Sequence, residues 1–178
     1  MGDMFCFQCE QTAGCTGCTG KAGVCGKKSD TAKLQDKLTG ALIGLARAAK
    51  GKESNAKADN IILEGLFTTI TNVNFNDETI TALINRVYQE KNALSSAVIE
   101  DYDMEKLWTA DEDIRSLKSL ILFGIRGVAA YAYHAHVLGY SDDSVNKFLY
   151  KALLAIVEDL QMGELLPLVL EVGEINLK

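Results

Sequence analysis

Apolar side chains recur at helical spacing along most of the chain after its first 28 residues. The first stripe repeats on one helix face and consists of Leu34, Leu38, Ala41, Leu42 and Leu45. Ser29 or Asp30 can cap the start of this helix, and Gly51 follows its basic end. A second helix is predicted over about residues 55–71, and a third begins after Asn76, which can cap it.

A long helix over residues 112–138, ended by Gly139, is predicted for the second half of the chain. Its middle is apolar on nearly every side, so other helices should pack around it. Gly124 and Gly127 would permit a close backbone approach there. Residues 94–110 precede this helix and indicate a connection with at most one short helical turn.

Two further helices complete the pattern. Ser141 can cap a fifth helix, and a shorter sixth begins near Gly163, where Pro167 is tolerable only within about the first turn. No segment shows the alternation of apolar and polar positions that is typical of a strand. The sequence therefore predicts an all-α fold.

The predicted organisation has three parts that together form one helical domain. Residues 1–28 are rich in Gly, Thr and Cys and carry no hydrophobic period, so they read as a loop wrapped around a bound group. Two small three-helix bundles are expected to follow this N-terminal Cys-rich loop, over residues 29–100 and 101–178.

Composition excludes several classes of protein. Hydrophobic residues make up 48% of the chain and charged residues 24%, which is typical of a globular protein. A net charge of −6 without a basic cluster argues against nucleic-acid binding. The longest apolar run, residues 120–132, contains Arg126 and is shorter than the ~20 residues of a membrane span. The N-terminus lacks a secretory signal pattern, so we expect a cytoplasmic protein that does not bind membranes.

All cysteines lie in one short segment. They are Cys6, Cys9, Cys15, Cys18 and Cys25. Such crowding and an odd count favour a metal site in a reducing compartment over a disulfide scaffold. Thiolates are soft ligands, so the candidates are zinc and an iron–sulphur cluster. Spacing leaves both open, because Cys15 and Cys18 could imitate the second Cys-x-x-Cys pair of a zinc module.

Several stretches resemble one family. The run Met-Phe-Cys-Phe-Gln-Cys-Glu-Gln-Thr-Ala at residues 4–13, with Gly-Cys-Thr at 17–19 and Gly-Val-Cys-Gly-Lys at 23–27, resembles the N-terminal signature of hybrid-cluster proteins, the hydroxylamine reductases. Residues 110–119, 127–135 and 173–178 also resemble this family, so the likeness covers the whole chain.

The resemblance implies a cofactor and its ligands. It implies that Cys6, Cys9, Cys18 and Cys25 bind a [4Fe-4S] cluster, with [2Fe-2S] or zinc as alternatives. The spacing from Cys18 to Cys25 is one residue longer than the family's usual spacing, and Cys15 is an extra thiol. Cys15 is therefore a less favoured substitute for Cys18.

The resemblance also implies a function. The family continues past this length into two α/β domains, which carry the hybrid cluster and reduce hydroxylamine to ammonia or act on related nitrogen oxides. We expect this chain to be the electron-transfer portion, truncated before those domains, with no catalytic residue and no hybrid cluster of its own. The alternative is a non-enzymatic helical module with a structural zinc site. Expected partners are a redox donor protein or reductase, and either the missing catalytic domains or a second copy docked on exposed apolar helix faces.

Other polar residues have simpler interpretations. His134 and His136 differ by two positions, so they lie on different sides of a helix and are expected to pack or face solvent. The acidic run Asp111-Glu112-Asp113 favours a helix start through the helix dipole.

Three charged residues bear on the cysteine segment. Arg126 is expected to be a snorkelling or ion-paired core arginine, with a position near the cluster or at a domain contact as the alternative. Glu10 and Lys27 flank the cysteines and are expected to face solvent, with tuning of the cluster's potential as the alternative.

Overall fold

The computed structural model describes residues 4–9 and 17–178, and these residues form helices and connections without a strand. The helices are α1 (Ser29–Ala49), α2 (Ala56–Thr68), α3 (Asp77–Leu94), α4 (Glu105–Trp108), α5 (Glu112–Val137), α6 (Asp143–Val157) and α7 (Met162–Asn176). The predicted all-α class is confirmed. None of these helices is both long and apolar enough to cross a membrane.

Two groups of three helices pack against each other. Helix α1 packs against α3 and α2, and helix α5 packs against α7 and α6. Contacts between α2 and α5, and between α1 and α6, join the two groups. One continuous apolar core runs from Leu38 in α1 to Ile175 in α7. The domain boundary near residue 100 stays a prediction, since this core is shared across it.

Side-chain caps fix most helix starts. Asn55 accepts hydrogen bonds from the backbone N–H groups of Lys57 and Ala58, and Asn76 accepts one from Thr79 N–H. These bonds satisfy N–H groups that have no partner within the first helical turn. The predicted cap at Asn76 is confirmed.

Two predicted caps are wrong. Helix α1 has Lys28 as its N-cap residue, without a capping side chain, so neither Ser29 nor Asp30 caps it. Helix α6 is capped by Asp142 instead of Ser141, because the Asp142 carboxylate accepts from Ser144 N–H at 2.7 Å. In both cases the N-cap residue lies one or two positions from the predicted one. A sequence pattern alone does not distinguish between neighbouring positions for a cap.

Helix α5 is the centre of the second group. Ile121 and Ile125 are fully buried, and Gly124 lies so close to Val172 of α7 that an added Cβ would overlap it. The predicted close approach is therefore confirmed at Gly124, whereas a Cβ at Gly127 would meet no atom within 4 Å. Leu120 is 52% exposed, so neighbouring helices do not cover α5 on every side.

Acidic residues begin helix α5 as predicted. Asp111 is the N-cap and accepts a hydrogen bond from Asp113 N–H at 3.1 Å, and Glu112 and Asp113 lie in the first turn. Negative charge at this position is stabilised by the helix dipole.

The position of Pro167 in α7 and the end of α2 differ from expectation. Pro167 is the sixth residue of α7, which places it beyond the first turn where it was expected. Its missing N–H leaves one intrahelical hydrogen bond unmade. Helix α2 ends at Thr68, before the predicted end at residue 71, and the following Thr69 donates its hydroxyl to Leu66 O at 2.9 Å.

Candidate metal centre

Cys6 and Cys18 lie side by side through backbone hydrogen bonds. Cys6 N–H donates to Cys18 O at 3.1 Å, and Cys18 N–H donates to Cys6 O at 2.8 Å. Gly17 precedes Cys18 with a φ of 66°, and an added Cβ would lie 3.1 Å from Cys6 O. Glycine is therefore required for this close pairing of two short segments.

A tight turn presents Cys25. Gly23 N–H donates to Lys27 O at 2.8 Å, and Gly26 N–H donates to Gly23 O at 2.8 Å. Gly26 has a φ of 85°, a conformation that glycine adopts without strain. An added Cβ on Gly23 would lie 3.3 Å from Cys25 Sγ, so the thiol lies close to this glycine.

The donor chemistry of the segment fits a thiolate-bound centre. Cys6 is buried, and Cys9, Cys18 and Cys25 are partly exposed. Cys15, the less favoured substitute, and Glu10 lie outside the described residues. Within the described ranges, no three His, Cys, Asp or Glu side chains lie close enough to share one metal ion. The ligand set Cys6, Cys9, Cys18 and Cys25 therefore stays a prediction.

Lys27 is buried beside Cys6. Its side chain is 1% exposed, and its ammonium donates to Gln8 Oε1 at 2.9 Å and to Cys6 Sγ at 3.8 Å. The predicted solvent exposure of Lys27 is wrong, because its ammonium is directed at Gln8 and Cys6 and its side chain is buried there.

Gln8 connects Lys27 to helix α1. Its Nε2 donates to Asp36 Oδ1 at 2.6 Å, while its backbone carbonyl accepts from Thr71 Oγ1 at 3.2 Å. Both ends of the Gln8 side-chain amide are therefore hydrogen-bonded, Oε1 to Lys27 and Nε2 to Asp36. This arrangement fixes the Cys6-x-x-Cys9 segment on helix α1 and on the connection that follows α2.

Arg126 of helix α5 lies in the same buried region. Its Nε donates to Thr69 Oγ1 and its Nη2 donates to Thr39 Oγ1, each at 3.1 Å. It is a buried core arginine as predicted, although hydroxyl groups accept these two hydrogen bonds, and it interacts electrostatically with Asp36 and Cys6. Burial lowers the pKa of Arg126 to about 10, and the guanidinium remains charged at neutral pH.

Two ionisable groups respond to this burial. Burial raises the pKa of the Cys6 thiol, and the nearby Lys27 ammonium opposes that rise. Burial also raises the pKa of Asp36 to about 6, against the hydrogen bond from Gln8 and the charge of Arg126. A metal would have to bind Cys6 as a thiolate, which the adjacent ammonium favours.

Aromatic side chains cover the start of the cysteine segment. Phe5 and Phe7 both meet the ring of Trp108 edge-on, with centroid distances of 6.2 and 5.2 Å. These ring contacts hold the start of the cysteine segment against helix α4. Farther away, His134 packs edge-on against Phe67 at 5.4 Å, which confirms its predicted packing role.

Comparison with known proteins identifies the family. The family model described as Prismane/CO dehydrogenase matches residues 4–178, which includes the cysteine segment and helices α1 to α7. The chain belongs to the Prismane/CO dehydrogenase family. The hybrid-cluster resemblance inferred from the sequence motifs is thereby confirmed.

Curated relatives of this Prismane-family chain include several hydroxylamine reductases. The chain is 41% identical to that of Caldanaerobacter subterraneus subsp. tengcongensis, 39% to that of Methanocella arvoryzae and 37% to that of Solidesulfovibrio magneticus. These matches cover 96%, 98% and 98% of this chain but 37%, 38% and 38% of the relatives. The chain therefore spans little more than a third of the length of these relatives.

Sequence reasoning missed the polar residues around Cys6 in this Prismane-family chain. Gln8 and Asp36 were not singled out, although Gln8 lies inside the Cys-x-x-Cys pair and Asp36 lies off the apolar stripe of α1. The sequence feature that could have pointed to Gln8 is its position between two candidate ligands, Cys6 and Cys9. Its partner Asp36 is 28 residues away, and no periodicity links the two.

The raised pKa of Asp36 predicts a pH-dependent stability. In the folded chain Asp36 keeps its proton up to pH about 6, whereas its ordinary value is 3.8. The fold therefore binds the proton more strongly than the unfolded chain between these values, and the free energy of unfolding should fall as pH rises through this window.

Denaturant unfolding of the reduced, metal-free chain at pH 4.0 to 7.0 measures this effect. Asp36→Asn should remove the loss of stability on raising the pH, whereas Asp30→Asn, at an exposed position of the same helix, should retain it. An identical pH profile for wild type and Asp36→Asn would contradict the assignment.

Proposed function

We propose that this chain is the electron-transfer portion of a hydroxylamine reductase and that Cys6, Cys9, Cys18 and Cys25 bind a [4Fe-4S] cluster. The observation that carries the proposal is the family match over residues 4–178, which contains all four cysteines of the hybrid-cluster signature. The hydroxylamine reductases at 37–41% identity support the same assignment.

Local structure supports a thiolate-bound cluster. The paired backbone hydrogen bonds between Cys6 and Cys18 hold two proposed ligands next to each other. The turn closed by Gly23 and Gly26 places the Cys25 thiol close to Gly23, in the same short segment as the paired cysteines. Lys27 supplies a cation to the Cys6 sulphur, which offsets the negative charge that thiolates bring to the site.

The cluster, its cysteine ligands and the neighbouring side chains each have a proposed role. A bound cubane cluster would supply one-electron exchange. Cys6, Cys9, Cys18 and Cys25 would hold it, Lys27 would donate a hydrogen bond to the Cys6 sulphur, and the Phe5, Phe7 and Trp108 rings would limit access of water from one side.

Partners follow from this role. We propose a redox donor protein or reductase in a reducing, cytoplasmic compartment as the electron source. The second proposed partner is either the catalytic domains of the longer family proteins or another copy of this chain. Exposed apolar side chains on helix α7 offer a surface for it, and they are Met162, Leu166 and Leu170, with Leu177 following the helix.

We expect this chain alone to accept electrons without reducing hydroxylamine. Reduction of hydroxylamine to ammonia takes two electrons and needs a metal with an open coordination position. A cluster closed by four thiolates has no such position.

An anaerobic assay tests this function. The reconstituted chain should oxidise reduced viologen by about one equivalent per cluster, and added hydroxylamine should produce no ammonia above the level of the cluster-free chain. Failure to accept electrons would contradict the electron-transfer role. Ammonia formation clearly above the control would show a reactive centre and would contradict the proposed division of labour.

A further inference from the structure

Among the described residues, the buried surroundings of Cys6 contain more positive than negative charge. Lys27 is 1% exposed and Arg126 is 4% exposed, and Asp36 is the carboxylate that interacts with both. The ammonium of Lys27 is hydrogen-bonded to a neutral amide and a thiol. The guanidinium of Arg126 is hydrogen-bonded to two hydroxyl groups. Neither cation is among the ion pairs of the described residues.

One donor of this cluster is unpartnered. Arg126 Nη1 is buried and makes no hydrogen bond within the part of the chain that the structure describes. Burial of a cation without a nearby anion is unfavourable, so buried cations are normally paired or hydrogen-bonded to charged groups. The excess of positive charge and the unpartnered Arg126 Nη1 both indicate that an anion bound in this region would be stabilised.

We propose that Lys27 and Arg126 are the fixed counter-charge of the iron–sulphur centre, and that Lys27 sets its reduction potential through the Cys6 sulphur. This inference rests on the proposed function. Four thiolates give the centre a net negative charge, and reduction adds one more. A cation held close to a ligand sulphur stabilises the reduced state more than the oxidised state, and so raises the potential.

Lys27 is a positioning residue in this proposal, and its neighbour provides a matched control. Lys27 and Lys28 are adjacent, carry the same charge and have the same side chain, but Lys27 is buried whereas Lys28 is exposed. Charge in a buried site is weakly screened, while an exposed charge is largely screened by water and salt. Replacement of Lys27 should therefore change the potential, and replacement of Lys28 should have little effect.

The test is a redox titration of the anaerobically reconstituted chain, followed by its visible spectrum. In K27Q we expect the ratio of oxidised to reduced cluster at a fixed applied potential to rise about tenfold, which equals a decrease of ~59 mV for a one-electron couple. K27R and K28Q should titrate close to wild type, because K27R keeps the buried charge and K28Q changes only an exposed one.

The other outcomes also decide the question. Equal potentials for K27Q and K28Q would overturn the proposal. If K27Q fails to retain iron, retention by K27R with unchanged helical circular dichroism would support a counter-charge role. Loss of iron from both K27Q and K27R would overturn it, because shape rather than charge would then be required. Failure of the wild-type chain to bind iron would instead contradict the proposed function itself.

Discussion

Replacement of Cys6, Cys9, Cys18 or Cys25 with alanine is expected to strip or destabilise the iron–sulphur centre in each of the four variants. A cubane cluster uses four thiolates, and loss of one leaves an iron without its protein ligand. Cys6 and Cys18 should be the most sensitive pair, since mutual backbone hydrogen bonds fix their spacing. Iron content per chain after anaerobic reconstitution and desalting measures the loss.

Cys15→Ala is the matched control for these four variants. It removes a thiol from the same stretch of sequence, and we expect it to retain iron at the wild-type level. Helical circular dichroism should be unchanged in all five variants, because every cysteine precedes Ser29 in the sequence, where helix α1 begins. Loss of iron from Cys15→Ala together with retention by Cys18→Ala would show that Cys15 is the third ligand.

Truncation of Ile121 to alanine should destabilise the fold by about 2–5 kcal/mol. Ile121 is completely buried in helix α5, where α5 packs against α2, α6 and α7. Removal of three carbon atoms there loses apolar burial and leaves a cavity that rigid neighbouring helices only partly fill. Denaturant unfolding of the metal-free chain provides the free energy of unfolding.

The neighbouring Leu120 is the control for this variant. It lies on the same helix but is 52% exposed, so Leu120→Ala should change the free energy of unfolding by less than about 1 kcal/mol. Ile121→Val, which removes one methyl group, should cost an intermediate amount of about 0.5–1.5 kcal/mol. Equal effects of Leu120→Ala and Ile121→Ala would contradict the burial of helix α5.

Helix positions were predictable from the sequence because the apolar period reports directly on the buried face of each helix. Helix α5 illustrates this point, since its start at Glu112 and the close approach at Gly124 were both predicted. Helix starts that depend on one side-chain hydrogen bond were harder, as Asp142 shows. The expectation that helices pack all around the middle of α5 was wrong at Leu120, which stays exposed because no neighbouring helix extends over it.

The polar surroundings of Cys6 were not predictable in the same way. They depend on side chains from distant parts of the chain, namely Lys27 from the loop, Asp36 from α1 and Arg126 from α5. A charged residue beside a cysteine is normally expected in solvent. Only the tertiary structure shows that Gln8 links the Lys27 ammonium to helix α1 and so keeps it buried. The cysteine motif, by contrast, was sufficient to identify the family.

The most direct test of the account is the iron, sulphide and zinc content of the chain purified anaerobically, measured together with its visible spectrum. A brown protein with about four iron and four sulphide per chain, no zinc and a spectrum bleached by dithionite is the predicted result. About one zinc per chain, no sulphide and a colourless solution would contradict the iron–sulphur assignment and establish a structural zinc module instead.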